Sequence, residues 1–215
     1  MSATEGVIQF QLEFKDSPAP APGTLHELNA WRKIFKQLGL LGQDPARYDG
    51  FGFGNLSRRA PNSAENQDAF IISGTQTGGL GELRPEDYVT VLACDAAHNR
   101  VKASGPIKPS SESLVHGLLY QTDPAIAWVM HLHSPDIFTC QKALDLPVTA
   151  HHAGCGTPQL AEDVARLHTP IAETGARLLV MGGHEDGILA YGTDPHMTGG
   201  LAVMALAQAL QSLLS

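Results

Sequence analysis

The chain has 215 residues, with 14 Lys+Arg against 22 Asp+Glu, a formal net charge of −8, and 43% hydrophobic and 17% charged residues. That length suits one domain of roughly 200 residues with its own core. An acidic balance without a basic run argues against nucleic acid held through its phosphates, but it leaves room for a local pocket for a small anion.

The elements follow in chain order. The opening "MSATEGVIQFQLEF" has no basic start followed by an apolar core, so no secretory signal is expected. Ile8, Phe10, Leu12 and Phe14 alternate with polar neighbours as in a half-buried strand, and the proline-rich loop "DSPAPAPG" follows. Thr24 and Glu27 in "TLHE" read as a capping box. Leu25, Leu28, Trp31, Phe35 and Leu38 then recur at helical spacing, with Gly39 to close the helix. "GFGNLSRR" is glycine-rich, and residues 61–68 form a polar loop. "AFIISG" and "YVTVLAC" are strand candidates, separated by the irregular "TQTGGLGEL".

"KPSSESLVHGLLYQ" predicts a helix entered through serines, with Glu112 in its first turn. "AIAWVMHLH" is a strand stopped by Pro135, and "PDIFTCQKAL" starts a helix. "LAEDVARLH" is a short helix; "RLLVM" and "GILAYG" are strands around the turn "GGHED"; "TGGLAVMALAQALQSLL" is helical. Alternating helices and strands along one continuous core predict a single α/β domain over residues 1–215, with 1–23 as N-terminal strand and loop. No apolar stretch approaches the ~20 residues of a membrane helix. Cys94, Cys140 and Cys155 are odd in number and lack a CxxC pair, so reduced thiols in a cytoplasmic protein are expected.

Chemistry concentrates in "WVMHLHSP". Residues i and i+2 of a strand share a face, so Val129, His131 and His133 point one way and Trp128, Met130 and Leu132 the other. Two neutral imidazoles on one face suit a first-row metal, commonly zinc; the alternative is two separately hydrogen-bonded histidines. Glu112, and His184 at a glycine-flanked tip, offer further ligands. Each has a plain alternative, the first as a partner of the helix dipole and the second as an exposed turn residue. His116 reads as a helix residue bonded to a neighbour, and one of His151 and His152 could reach the site from a loop. "GFGNLS", "SGTQTGG" and "PSSE" set small residues and hydroxyls beside irregular backbone, which can hold a phosphate or simply make turns.

Taken in order, "GNLSRR", "IISGTQTGGL", "LRPEDYV", "KPSSESLVHGLLY", "VMHLHS" and "VMGGHEDGIL" resemble the class II aldolase/adducin family over nearly the whole chain. The resemblance implies a three-layer α/β/α fold around a mostly antiparallel sheet, often a homotetramer. It also implies a divalent metal, usually Zn2+, held by three histidines. His131 and His133 match the first two ligands and His184 the third; Glu112 matches the acid/base, which can also ligate the metal. Asn55, Ser73, Gly74, Thr75, Ser110 and Ser111 match the phosphate-binding segments. The family usually has His directly before Gly, whereas Glu185 and Asp186 intervene here, so the third ligand is either His184 on a longer turn or Asp186.

The implied activity is aldolase-type lyase chemistry on a small hydroxy-carbonyl compound, a sugar phosphate, through a metal-stabilised enediolate. Epimerase, isomerase or dehydratase chemistry and a non-catalytic adducin-like role are the alternatives. The tail offers no obvious catalytic tyrosine, so the chain either lacks the protonating group that aldolases use or supplies it from elsewhere, for example from Tyr191 or Tyr48.

Overall fold

A computed structural model describes residues 6–61, 67–154, 157–168, 171 and 175–214. In chain order the strands are β1 (Gln11–Asp16), β2 (Gly42–Gln43), β3 (Gly52–Phe53), β4 (Asn55–Arg59), β5 (Phe70–Ser73), β6 (Tyr88–Asp95), β7 (Arg100–Gly105), β8 (Trp128–His133), β9 (Ala176–Val180) and β10 (Gly187–Gly192). The α-helices are α1 (His26–Gln37), α2 (Ser113–Thr122), α3 (Pro135–Thr139), α4 (Pro158–Leu167) and α5 (Pro195–Leu213). Among the described residues, eight strands form one sheet in the order β1-β7-β6-β5-β4-β8-β10-β9, and β2 and β3 make a small ladder of their own. Among the described strands of the large sheet, β1 and β7 pair in parallel and the other strand pairs are antiparallel.

The alternation read from β8 decides which side of the sheet each residue faces. Val129 joins a core with Leu114, Leu119, Leu160, Val164 and Leu189 beneath α2 and α4. Trp128, Met130 and Leu132 join the opposite core with Leu28, Phe35, Ile137 and Ala205 of α1, α3 and α5. Both faces are covered, so β8 is buried at every position and sits between β4 and β10 in the sheet interior. The result is a sheet with helices on both sides, as the motif series implied.

Several local expectations shift. Thr24 and Glu27 form no capping box. The Thr24 hydroxyl donates to the Ala21 carbonyl at 2.7 Å inside a short 3-10 turn, and α1 starts two residues later at His26 without a side-chain cap. Glu27 instead meets Arg58 at 3.3 Å. The first strand begins at Gln11 rather than Ile8. Strand β7, "RVKASG", carries too few apolar residues to be read locally and forms because β6 and β1 pair with its two edges. Cys94 and Cys140 are free thiols, as expected, and burial pushes the Cys94 thiol up to about 12. Cys155 and residues 62–66 of the polar loop lie outside the described residues. No helix among the described residues is long and apolar enough to cross a membrane.

Helix α2 lies close on β6 because Gly117 has no side chain. A Cβ there would stand 2.3 Å from the Cys94 sulfur. Ordinarily Gly→Ala within a helix stabilises by up to ~1 kcal/mol, whereas forcing a methyl into a filled core costs about 1–3 kcal/mol. Gly117→Ala is therefore expected to lower stability by about 1–2 kcal/mol in urea unfolding. A variant as stable as the parent would mean that the two elements are not packed this tightly.

Candidate metal centre

The site is assembled by three strands and two helix or turn ends. Strand β8 places His131 opposite Asn55 of β4 and Leu189 of β10, and His133 opposite Gly187. Gly187 also makes room at the tip between β9 and β10, because a Cβ there would press on the His184 ring at 3.0 Å. That tip is held by its own backbone: His184 N–H donates to Met181 O, Gly187 N–H to His184 O and Ser134 N–H to Asp186 O, at 2.9, 2.9 and 2.8 Å. Glu112 is at the N-cap position of α2 rather than inside its first turn, after a turn in which the Ser113 hydroxyl donates to Ser110 O at 2.7 Å. Its side chain does not cap the helix and is buried.

These elements bring three imidazoles together. His133 Nε2 is 3.1 Å from His131 Nε2 and 3.1 Å from His184 Nε2, and all three rings are buried. Two nitrogens bound to one tetrahedral zinc at 2.0–2.1 Å would stand roughly 3.3 Å apart, so the observed spacing is that of a shared ligand nest. His131 Nδ1 faces the Ile188 carbonyl at 3.2 Å. A carbonyl only accepts, so the proton belongs on Nδ1 and the Nε2 lone pair faces the centre. Burial, followed by the neighbouring His184 and His131, holds His133 well below the usual imidazole range, which keeps it in the neutral form a metal binds. His131, His133 and His184 thus form a group able to hold a metal ion.

The remaining candidates separate clearly. Glu112 Oε1 lies 4.0 Å from His184 Nδ1, beside the three donor nitrogens rather than among them. The Asp186 carboxylate turns away from the nest and accepts from the Tyr48 hydroxyl at 2.8 Å, so the structure puts His184, not Asp186, third in the cluster. His116 Nδ1 bonds Ser57 Oγ at 2.7 Å, and Ser57 Oγ lies 2.8 Å from the Tyr120 hydroxyl, a neighbour's role as expected. His151 is exposed with Nδ1 2.8 Å from Gly182 O, and His152 is exposed. Tyr191 is directed to His168 at 3.4 Å, and His168 in turn to Asp123 at 3.2 Å, so that hydroxyl serves the far end of α2.

Asn55, Gly74, Thr75, Ser110 and Ser111 line a narrow cleft shared with the Gly78 backbone. Asn55 Oδ1 is buried and has no hydrogen-bond partner among the described residues. The hydroxyl of Ser73, expected with them, accepts from Leu56 N–H at 3.5 Å. Ser73 lies at the end of β5, paired with Tyr88. Arg47 and Phe53, which pack around Tyr48 and His133, carried no sequence signal.

The sequence profile described as "Class II Aldolase and Adducin N-terminal domain" matches residues 44–209, which include every one of these side chains. The chain belongs to the class II aldolase and adducin family. Solved structures of similar fold include l-fuculose-1-phosphate aldolase from Thermus thermophilus (TM-score 0.59, 21% identity, covering 87% of this chain and 91% of that one). Another is YgbL from Escherichia coli (TM-score 0.63, 19% identity, covering 89% of each). Curated relatives of this class II aldolase family member include methylthioribulose-1-phosphate dehydratase from Leptospira biflexa, 37% identical over 83 residues, or 39% of this chain and 37% of that protein. The enzyme of the same name from Xanthomonas oryzae is 34% identical over 121 residues, 54% of this chain and 47% of that protein. The matched stretches span less than half the length of either relative.

Proposed function

We propose that this chain is a divalent-metal-dependent lyase acting on a sugar phosphate, with dehydration of a ketose 1-phosphate as its reaction. The observation that carries the reading is the juxtaposition of three buried histidine nitrogens with Glu112 beside them. The cleft of Asn55, Ser110 and Ser111 supports the phosphate. Its hydroxyls and the N-terminal amides of α2 offer hydrogen bonds to an anion without net positive charge. Dehydration is preferred over carbon–carbon cleavage because the sequence relatives are named dehydratases, whereas the resemblance to aldolases is one of fold. An adducin-like scaffold would have no use for the three-histidine nest.

A divalent ion, in this reading Zn2+, would be held by His131, His133 and His184 and would polarise the substrate carbonyl as a Lewis acid. Glu112 would take the proton from the carbon beside that carbonyl, and the C–H electron pair moves toward the carbonyl oxygen. When that pair returns, the C–O bond to the next carbon breaks and the hydroxyl leaves as water with the proton Glu112 has carried. One carboxylate thus serves both halves of the reaction. Asn55, Ser110 and Ser111 would hold the phosphate end so that the reacting carbon stays within reach of Glu112. Assembly as a homotetramer belongs to the same reading, with light scattering as its check.

The test is incubation of the metal-loaded protein with a panel of ketose 1-phosphates that includes methylthioribulose 1-phosphate, followed by mass spectrometry of the products. Loss of one water from a substrate is expected, and chelator treatment should abolish it with recovery on adding zinc. Two carbon fragments in place of a dehydrated product would assign aldol cleavage, in which Glu112 takes the hydroxyl proton instead. Turnover that survives chelation would overturn the metal-dependent reading.

A further inference from the structure

In the tip "GGHEDG" Asp186 has no place in the cluster of His131, His133 and His184, and its contacts show what it does instead. Its Oδ2 accepts from the Tyr48 hydroxyl at 2.8 Å and stands 3.5 Å from Arg47 Nη2. Arg47 Nη2 also donates to the Tyr48 oxygen in a short hydrogen bond. The guanidinium lies 4.8 Å from the Tyr48 ring centre and 4.9 Å from that of Phe53, so it is held over two aromatic faces. The Tyr48 ring in turn meets the His133 imidazole edge-on, with centres 4.6 Å apart, and Phe53 packs against both rings, 5.3 Å from His133 and 5.1 Å from Tyr48.

The backbone supports the same unit. Tyr48, Asp49 and Asp186 all have left-handed φ, at 50°, 54° and 57°. Asp tolerates that region, but a bulky Tyr does so rarely, and such a conformation persists only when its surroundings hold it. The two loops that carry the strain are the ones joined by the Tyr48–Asp186 hydrogen bond.

We propose that Tyr48 is a positioning residue for the metal centre, clamped by Asp186 and Arg47 so that its ring fixes the His133 imidazole and ties the tip bearing His184 to the same frame. This rests on the metal-binding function proposed above. Asp186 thereby anchors the tip that bears His184 to the loop at 47–49.

The test uses the full chain as Tyr48→Phe, Asp186→Gly and the double variant. The first keeps the ring and loses only the hydroxyl; the second removes the carboxylate at a position where glycine relieves the φ. Zinc affinity is measured by chelator competition, and the visible absorption of the cobalt(II)-loaded protein reports ligand geometry. Outer-shell partners of metal ligands typically govern 10–100-fold in affinity. Each single variant is expected to bind zinc about tenfold more weakly with an altered cobalt spectrum. The double variant should be no worse than the weaker single one, because both remove the same contact. Either single variant matching wild type in affinity and spectrum overturns the proposal, as do effects that simply add. Loss of native circular dichroism in Tyr48→Phe also overturns it, since the contact would then hold the fold rather than the centre. Wild-type protein that binds no metal would overturn the proposed function, whereas wild-type binding with unchanged variants overturns only the clamp.

Discussion

Glu112→Gln is expected to lower turnover by about 10²–10⁴-fold while leaving metal content close to wild type. The amide keeps the shape and volume of the side chain, so the buried setting of Glu112 at the start of α2 is preserved. What it loses is the capacity to take and return a proton. The carboxylate lies 4.0 Å from His184 Nδ1 and outside the cluster of donor nitrogens, which is why metal binding should survive. Steady-state kinetics beside plasma mass spectrometry of the same preparation decide it. Near-normal turnover would remove Glu112 from the chemistry. Loss of metal together with activity would make it a ligand rather than the acid/base.

The second large effect concerns the histidines. Wild-type protein should carry about one divalent ion per chain, and His131→Ala and His184→Ala should each lose it, because two remaining imidazoles make a poor site for zinc. The rings are buried and within 3.1 Å of one another along the chain His131–His133–His184, so removing any one opens the nest. Asp186→Gly gives the contrast. Its carboxylate contacts Tyr48 and not the nest, so it should weaken binding without abolishing the one-to-one stoichiometry. Retention of the ion in His184→Ala, with its loss in Asp186→Gly, would reverse the assignment of the third ligand.

Both experiments bear on residues that the sequence could nominate to different extents. His131 and His133 were legible because a two-residue period in an apolar run is a local property; the register with Asn55 and Leu189 then follows from strand pairing. Helix α2 was legible from its apolar spacing, but it starts at Ser113 rather than at the head of the 108–121 stretch, and Glu112 precedes its first helical residue. The capping box at Thr24 failed for a related reason: a hydroxyl can satisfy itself on a nearby carbonyl, and local pattern cannot say which partner wins.

The sequence by itself determined the helices, the apolar strands β5, β6, β8, β9 and β10, the division of β8's side chains between two faces and the family, because each rests on spacing or motif within short stretches of chain. The tertiary structure alone decided between His184 and Asp186, and it alone brought Arg47 and Tyr48 to the edge of the His133 ring. Tyr48 and Asp186 are 138 positions apart. Contacts across such a separation depend on how the sheet orders its strands and where each loop leaves it, and no local period encodes that geometry.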